Sequence, residues 1–389
     1  MIKKIGKSII GYINKWLPKF NWVLVQGSPN TASNAIEVAN YIQNNYDLSV
    51  YFVVNKAKKD RPNNLLIPGV HLIYYNKTKW KNIKYYLTHL CSKYIFSTHG
   101  SIHEIYSNEQ IDTNIWHGIP YKKLGILQGA PPRPSDITVG TSQLTKKVFS
   151  DSFGIPEKCV YISGYPRNDM LLRAKQNKSQ LKNSVRTLID FDKIAFWMPT
   201  YRKSNTLQEE DGIEVGNPFH IKNFDISLFN NILKKANTLC LIKPHPLAPE
   251  YDNYGGMRNV RMIDNKGIAE LGMSLYELLG CSDLLISDVS SVIIDYMLLD
   301  KPIICLSTDF EEYRKTRGFY FDDIENWIPS SIIKSQSIFF QHLENILMNG
   351  DDPSKTKREI LKKRFFEHHD ASSTERLMKH IFNKEIINS

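Results

Sequence analysis

The chain has 389 residues, which is too long for one ordinary hydrophobic core, so we expect two domains. Hydrophobic residues make up 42% and charged residues 23%, as in a globular protein, and no run of 18 apolar residues marks a transmembrane helix. Five scattered cysteines without a CxxC pair argue against a disulfide framework and a zinc site, and suit a reducing cytoplasm. The net charge of +10 predicts an anionic partner; no nucleic-acid-binding motif is present, so nucleic acid is not expected.

Residues 1–17 predict a basic amphipathic helix that ends before Pro18. At 100° per residue, four isoleucines, Trp16 and Leu17 fall on one face, and all four lysines of the segment fall on the opposite face. Such a helix suits the surface of an anionic membrane. The alternative is a helix packed on the protein's own surface.

Short apolar segments alternate with helical patterns from residue 20 to residue 175, which predicts a parallel, doubly wound sheet. The predicted strands are 22–25, 50–54, 70–75, 94–97, 113–116, 137–139 and 160–163. The predicted helices are 34–45, 81–90 and 142–152.

A histidine follows the predicted strand 113–116 in the stretch Ile115-Trp-His-Gly-Ile-Pro-Tyr-Lys-Lys-Leu-Gly125. Ligands bind at the carboxyl edge of open α/β sheets, and an imidazole can accept a proton near neutral pH. His117 is therefore a candidate general base, with Lys122 and Lys123 adding positive charge beside it. The alternative is a structural histidine.

The predicted strand 160–163 leads into Gly164-Tyr-Pro-Arg-Asn-Asp169. Arg167 is a candidate contact for a phosphate or a polymer; alternatively it pairs with Asp169 in a proline-fixed turn. The polar segment 174–183 then predicts the domain boundary.

The second half places cationic residues directly after two strands. The predicted strand 193–198 is followed by Pro199-Thr-Tyr-Arg202, and the predicted strand 238–242 by Lys243-Pro-His-Pro246. Two prolines restrict the loop around His245 and aim its side chain. A solvated turn is the alternative for Lys243 and His245.

A strand, a small-residue turn and a helix follow at residues 284–299. Ser290 or Ser291 is expected at the N-cap, where free backbone N–H groups and the helix dipole can hold a phosphate. Asp295 lies about one turn into the helix and could accept hydrogen bonds from substrate hydroxyls. The alternative is an ordinary βα unit with a serine cap. We also predict a helix at 271–279, a strand at 302–306 and helices over 353–389.

These stretches, at 116–125, 164–169, 199–202, 243–246, 287–295 and 309–320, together resemble the bacterial CDP-glycerol glycerophosphotransferase family, which makes glycerol-phosphate teichoic acids and related capsules. The resemblance implies an α/β GT-B architecture with two Rossmann-like domains across a cleft. Residues 20–175 would form the acceptor domain, and residues 188–389 the CDP-glycerol-binding domain with C-terminal helices. It also implies peripheral attachment to the cytoplasmic face of the cell membrane.

In the implied reaction, a hydroxyl of a lipid-linked glycan or polyol-phosphate acceptor attacks the β-phosphorus of CDP-glycerol, and CMP leaves. His117 would accept the proton; Arg202, Lys243 and His245 would neutralise the pyrophosphate, so no metal or other cofactor is expected. His245 could instead protonate the departing CMP. The residues expected to contact substrate are Trp116, Gly118, Pro120, Lys122, Arg167, Pro199, Thr200, Arg202, Lys243, Pro244, Asp288, Ser290, Ser291, Asp295 and Arg317.

Three other functions remain open at this point. Ribitol-phosphate transferases share these motifs, so glycerol is only the favoured polyol. A GT-B glycosyltransferase of capsule synthesis is a second alternative. A non-catalytic polymer-binding protein is the third, and histidines and arginines at predicted strand ends argue against it.

Overall fold

The computed structural model describes residues 10–76, 82–100, 107–184, 188, 190–200, 221, 223–244 and 257–388, with only the backbone of residues 184, 317 and 383–388. Two parallel sheets with flanking helices organise these residues, which confirms the expected pair of Rossmann-like units. No helix in the described ranges is both long and apolar enough to cross a bilayer.

The first sheet contains seven strands: β1 (Phe20–Gln26), β2 (Ser49–Asn55), β3 (His71–Tyr75), β4 (Ser92–Ser97), β5 (Ile111–Asn114), β6 (Ile137–Gly140) and β7 (Val160–Ile162). Its helices are α1 (Ser33–Asn45), α2 (Ile83–Cys91), α3 (Gln143–Phe153), α4 (Pro166–Gln176) and α5 (Lys178–Ser184). All pairings are parallel, in the order β3-β2-β1-β4-β5-β6-β7. The order reverses between β1 and β4, so the loops after these two strands flank a crevice at the carboxyl edge.

The second sheet contains β8 (Lys193–Met198), β9 (Thr238–Ile242), β10 (Val260–Met262), β11 (Leu284–Ser287), β12 (Ile303–Leu306) and β13 (Ile332–Ile333). Its order is β10-β9-β8-β11-β12-β13, again parallel, and it reverses between β8 and β11. The helices that follow β8 in the chain are α6 (Ile226–Lys235), α7 (Asn265–Glu270), α8 (Leu275–Gly280), α9 (Val292–Tyr296), α10 (Phe310–Arg317), α11 (Ile324–Trp327), α12 (Gln336–Glu344), α13 (Lys355–Phe365) and α14 (Ser373–Asn388).

The two units pack directly on each other through α4 and α8. A Cβ added to Gly280 would lie 2.4 Å from the carbonyl oxygen of Leu171 and 2.7 Å from the Cβ of Ala174, so glycine permits this close approach. A second link joins the loop after β5 to the segment after α10, where Tyr320 N–H donates to the carbonyl oxygen of Tyr121 at 2.7 Å. One cluster of buried apolar side chains runs through both units.

The last helix returns to the first unit. Asp169 accepts hydrogen bonds from the backbone N–H groups of Ser373 at 2.8 Å and Thr374 at 2.7 Å, which satisfies free donors at the start of α14. The helix packs on α1 and α4. The domain bounds of 188–389 stay a prediction, and within that range α14 has partners in the first unit.

Several predicted boundaries shift. β5 ends at Asn114 rather than at residue 116, so His117 lies within a loop. The helix predicted at 271–279 begins at Leu275, because Ser274 and Glu277 form a capping box. The predicted boundary segment 174–183 is helical, as the end of α4 and most of α5.

The N-terminal amphipathic helix is described only in part. Residues 1–9 lie outside the described residues, and helix is present at 10–14. Tyr12 and Trp16 are 66% and 76% exposed, whereas Asn14 is buried. This end of the chain therefore touches the protein on one side and presents aromatic rings to solvent on another.

Candidate active site between the two units

The loop after β5 lies against the turn after β11. A Cβ added to Gly118 would lie 2.6 Å from the Oγ of Ser291 and 3.1 Å from the Nη2 of Arg167. The φ of Gly118 is +146°, so both the space and the backbone conformation require glycine. The structure thus brings together the loop that carries His117 and the turn that carries Ser291, from opposite halves of the chain.

The ring of His117 is oriented by a backbone carbonyl. Its Nδ1 lies 3.1 Å from the carbonyl oxygen of Thr98. Because a carbonyl only accepts, Nδ1 carries the proton of the neutral ring and Nε2 keeps its lone pair. His117 is therefore oriented as a proton acceptor.

The environment of His117 keeps its ring uncharged. Desolvation lowers its pKa from the ordinary value to about 3, and the nearby His99 and Arg167 act in the same direction. The side chain remains open to solvent on one side, so dense protein around it, rather than complete enclosure, causes the shift. At neutral pH the imidazole is ready to accept a proton.

A second histidine, which the sequence analysis missed, stacks on the first. The ring centroids of His99 and His117 are 4.0 Å apart, with an interplanar angle of 7°. Desolvation, and then the charges of Arg133 and Lys58, lower the pKa of His99 to about 4. The available signal was the same as for His117: a histidine just beyond a predicted strand, here β4.

Arg167 links the His117 loop to the second unit. Its Nη1 donates to the carbonyl oxygen of His117 at 2.6 Å, and its Nη2 donates to Oδ2 of Asp295. Tyr276 also donates its hydroxyl proton to that Oδ2, at 2.6 Å. Arg167 is 6% exposed and Asp295 is fully buried. The alternative pairing of Arg167 with Asp169 is wrong, since Asp169 caps α14.

Three buried polar atoms around Arg167 have no hydrogen-bond partner among the residues that the structure describes. They are Nε of Arg167, Oδ1 of Asp295 and the hydroxyl of Tyr165. The contact of Asp295 with substrate hydroxyls stays a prediction, and only Oδ1 is left for it, since Oδ2 is engaged twice.

Asn34, at the start of α1, holds the same loop from the other side. Its Nδ2 donates to the carbonyl oxygens of Ile115 at 3.0 Å and Trp116 at 2.7 Å, while its Oδ1 accepts the backbone N–H of Arg167 at 2.9 Å. This support matters because Trp116 has a φ of +33°, unusual for an aromatic residue. Sequence reasoning missed Asn34, a polar residue 2% exposed in a mostly buried helix.

Trp116 belongs to the core. It is 6% exposed, and the centroid of its ring lies 4.1 Å from the ring centroid of His117 and 4.7 Å from that of Phe153. In this structure it supports the histidine ring from the interior. Pro120 is buried as well.

In the second unit, Asp288 joins the loops on either side of the reversal in strand order. Its carboxylate accepts hydrogen bonds from the backbone N–H of Thr200, at 3.1 Å to Oδ1, and from the Thr200 hydroxyl. Asp288 is 4% exposed and therefore holds the Pro199–Thr200 segment in place.

Ser291 occupies the N-cap of α9, but its side chain makes no capping hydrogen bond, and α9 has only five residues. The predicted N-cap position of Ser291 is thus confirmed, without a side-chain cap, and Ser290 and Ser291 are both half-buried at the turn.

Lys243 follows β9 and is 5% exposed. Burial lowers its pKa to about 8, opposed by the charges of Asp264 and Asp60, the latter from the first unit. The ammonium makes no ion pair with any carboxylate in the described ranges, so it is a buried cation available to an anionic ligand. Pro244 beside it is half-buried, whereas Arg202 and His245 lie outside the described residues.

Lys122 and Arg317 belong to the second link between the units. Lys122 pairs with Phe319 in an antiparallel bridge, and its Nζ lies 5.0 Å from the ring centroid of Tyr313. Arg317 is the last residue of α10, and the structure describes only its backbone. The substrate contacts expected of both stay predictions.

No group of three or more histidine, cysteine, aspartate or glutamate residues within the described ranges is arranged to hold a metal ion. The expected absence of a metal cofactor stays a prediction. A separate open depression lies at the amino edge of the first sheet, lined by Phe20, Trp22, Gln43 and His71 among others, away from the loops described above.

The comparison with known families decides what this chain is related to. The sequence model of the CDP-glycerol:poly(glycerophosphate) glycerophosphotransferase family matches residues 18–383. The chain belongs to this family.

The names of similar proteins refer to two different polyols, ribitol and glycerol. The chain is 30% identical over 237 residues to the teichoic acid ribitol-phosphate polymerase TarL of Staphylococcus aureus, a match that covers 60% of this chain and 39% of TarL. It is 25% identical over 292 residues to the teichoic acid glycerol-phosphate transferase of the same organism, covering 69% of this chain and 70% of that protein. The chain thus spans well under half the length of TarL.

A solved structure of the wall teichoic acid polymerase TagF has the same fold. The TM-score is 0.76 at 20% identity, over 97% of this chain and 92% of that chain. This agreement supports the GT-B-like arrangement of two Rossmann-like units.

Proposed function

We propose that this glycerophosphotransferase-family chain transfers glycerol phosphate from CDP-glycerol to an acceptor hydroxyl and releases CMP. The observation that carries the proposal is the approach of Gly118 to Ser291, where an added Cβ would meet the serine Oγ at 2.6 Å. This approach sets the loop that carries the imidazole of His117, from one unit, beside a small-residue turn from the other. Family membership supplies the class of reaction.

The chemical step requires alignment and charge neutralisation more than covalent help. The acceptor oxygen forms a bond to the β-phosphorus, the bond from that phosphorus to the bridging oxygen breaks, and the bridging oxygen leaves with CMP. The hydroxyl proton passes to Nε2 of His117. The carbonyl of Thr98, which accepts from Nδ1–H, stabilises the imidazolium that forms.

Fixed cations offset the charge of the diphosphate. Lys243 is a buried ammonium without an ion pair to a described carboxylate, at the carboxyl edge of the second sheet. Arg202 and His245 are proposed to act with it, on the family resemblance alone, and His245 is also a candidate to protonate the departing CMP. Ser290 and Ser291 would hold a phosphate by their hydroxyl and backbone N–H groups.

Arg167 has a different proposed role from the phosphate contact expected from sequence. Both of its terminal nitrogens are engaged, one by the His117 carbonyl and one by Asp295. We therefore assign it to positioning the His117 loop. Oδ1 of Asp295, which has no hydrogen-bond partner among the described residues, would accept a hydrogen bond from a hydroxyl of the donor polyol.

Ribitol phosphate is the second candidate for the transferred group. The identity to TarL, 30%, is higher than that to the glycerol-phosphate transferase, 25%, although over a shorter stretch. The glycerol assignment rests on the description of the family.

We further propose a lipid-linked glycan or polyol-phosphate acceptor and peripheral attachment to the cytoplasmic face of the cell membrane. The support is the net charge of +10 and the exposed Tyr12, Ile13 and Trp16 near the N-terminus. Sedimentation with vesicles tests the attachment. We expect binding to anionic but not to zwitterionic vesicles, with Trp16→Ser weakening it; equal binding to both would contradict an electrostatic contribution.

The experiment that tests the reaction offers radiolabelled CDP-glycerol and CDP-ribitol separately, each with a lipid-linked acceptor. CMP release and the mass of the product identify the donor, the acceptor and the number of units added. We expect CMP release from CDP-glycerol that His117→Ala abolishes. A protein that releases CMP from neither donor, and whose polymer binding is unaffected by His117→Ala, would instead be the non-catalytic polymer-binding protein.

A further inference from the structure

Two neighbouring strands of the first sheet each end in a histidine loop. β4 pairs with β5, with Ser97 opposite Asn114, and His99 and His117 follow these strand ends by two and three residues. The two rings are parallel within 7° at a centroid distance of 4.0 Å. The stack therefore lies at the carboxyl edge, where ligands of such sheets bind.

Thr98 orients both rings through different atoms. Its carbonyl oxygen lies 3.1 Å from Nδ1 of His117, and its Oγ1 lies 2.9 Å from Nδ1 of His99. That Oγ1 also accepts the backbone N–H of Ser28 at 3.0 Å. With both Nδ1 atoms held by one residue at the sheet edge, Nε2 of each ring has no hydrogen-bond partner among the residues that the structure describes.

Hydrogen-bond accounting assigns the proton on each ring. Thr98 is 1% exposed, so leaving its hydroxyl proton without an acceptor would be costly. The acceptor within reach is Nδ1 of His99, provided that Nδ1 is unprotonated, which places the proton of the neutral His99 ring on Nε2. His117 has the opposite tautomer, because its Nδ1 must donate to a carbonyl.

The stack therefore offers one acceptor and one donor side by side. We propose that His99 is a further active-site residue, which donates a hydrogen bond from Nε2–H to a phosphoryl oxygen while His117 accepts the proton of the attacking hydroxyl. This inference rests on the proposed function. The ring separation of 4.0 Å suits the purpose, since the attacking oxygen and the phosphoryl group it approaches lie at a comparable distance before the bond forms.

The surrounding charges favour neutral rings, which both roles require. Lys58 and Arg133 face His99, while Arg133 and Arg167 face His117. Two stacked imidazolium ions would also repel each other. A donor that is neutral rather than charged can stabilise the developing negative charge without giving up its proton.

Kinetics separates donation from stacking. His99→Phe keeps a stacking ring without a donor, and His99→Gln keeps an N–H donor without the ring. We expect His99→Phe to lower kcat about 10²-fold and His99→Gln to lower it less than about tenfold, with little change in the KM of the donor. His71→Phe and His71→Gln are the matched controls, because His71 is an exposed histidine near Tyr51 at the opposite edge of the sheet. Unchanged kcat in His99→Phe, or equal losses in both His99 variants, would overturn the proposal.

Nuclear magnetic resonance tests the tautomers without any turnover. In the full chain with ¹⁵N-labelled histidine, the ring nitrogens of residues 99 and 117 are assigned by their loss in His99→Phe and His117→Gln. We expect a protonated Nε2 in His99 and a protonated Nδ1 in His117; a protonated Nδ1 in His99 would overturn the proposed donation. If the wild type released CMP from neither CDP-glycerol nor CDP-ribitol, the proposed function and the substrate contact would both fall, whereas the spectrum would still decide the tautomers.

Discussion

The guanidinium of Arg167 and the carboxylate of Asp295 form a buried ion pair that joins the two units beside the His117 loop. A buried pair of charges loses much of its favourable energy to desolvation, so its contribution to stability is small compared with the cost of breaking it. Here the pair also carries the hydrogen bond from Arg167 to the His117 carbonyl. Its location indicates a role in specifying how the units dock.

Removing one partner of this pair should therefore destabilise the protein more than removing both. We expect Arg167→Met to lower the free energy of unfolding by about 3 kcal/mol, because Asp295 is left as a buried charge. The double variant Arg167→Met with Asp295→Leu should recover part of that loss without recovering activity. Urea unfolding and CMP release measure the two effects.

The matched control is Lys147→Met, which removes an ion pair with Asp151 on the exposed surface of α3. Such a pair contributes about 0–1 kcal/mol, so this variant should stay close to wild type. A double variant no more stable than Arg167→Met alone would show that the charge of Asp295 is not the cause.

Gly118 should be more sensitive to substitution than a glycine with positive φ that lies in open space. In Gly118→Ala, the new methyl group would meet the Oγ of Ser291 at 2.6 Å, so the Ser291 side chain or the loop that carries His117 would have to shift. Gly129→Ala is the control, because Gly129 also has a positive φ, of 75°, but a Cβ there meets no atom within 4 Å. We expect both to lose about 1–3 kcal/mol of stability from backbone strain and only Gly118→Ala to lose most activity. Equal activity in the two variants would argue against the contact.

His117 should remain active as a base well below the ordinary histidine range. A base works when unprotonated, and desolvation by the surrounding protein lowers the pKa of His117 to about 3, so kcat/KM should not fall as pH decreases through 6.5. His117→Gln should reduce kcat by roughly 10²–10⁴-fold with little change in donor KM. If kcat/KM of the wild type fell on acidification with a midpoint near pH 6.5, then solvent, rather than the surrounding protein, would set the pKa of His117.

The same shift has a consequence for folding. Between about pH 3 and pH 6.5, the unfolded chain binds a proton at residue 117 that the folded protein does not. The stability that this group contributes is therefore present above pH 6.5 and is lost as the pH falls towards 3. His117→Gln should therefore unfold less readily on acidification than the wild type does. Thermal unfolding midpoints between pH 7 and pH 4 provide the measurement.

Lys243 should make donor binding pH-dependent on the alkaline side. Burial lowers its pKa to about 8, so the ammonium is charged below that pH and loses its proton above it. We expect the KM for the CDP-activated donor to rise above pH 8 in the wild type and to rise much less in Lys243→Arg, because a guanidinium stays protonated. Parallel pH profiles for the two proteins would remove Lys243 from the donor site.

The local pattern of apolar residues was sufficient to predict the strands of the two sheets and the positions of several site residues at the strand ends. Apolar runs such as 193–198 and 284–287 correctly predicted β8 and β11, since strands of a parallel sheet are covered on both faces. Lys243 and Asp288 follow strands directly, so periodicity alone placed them at a carboxyl edge. The capping box of α8 was also readable from the sequence but was missed.

The partnerships of the polar side chains depended on tertiary structure. Arg167 and Asp295 are 128 residues apart, and nothing local favours that pairing over Asp169 two residues away. Asp169 in turn binds the start of α14, more than 200 residues later. The stack of His99 on His117 likewise arises because β4 and β5 are neighbours in the sheet. A hydrophobic period is a property of one segment, whereas the partner of a buried charge or ring is set by which segments the packed core brings together.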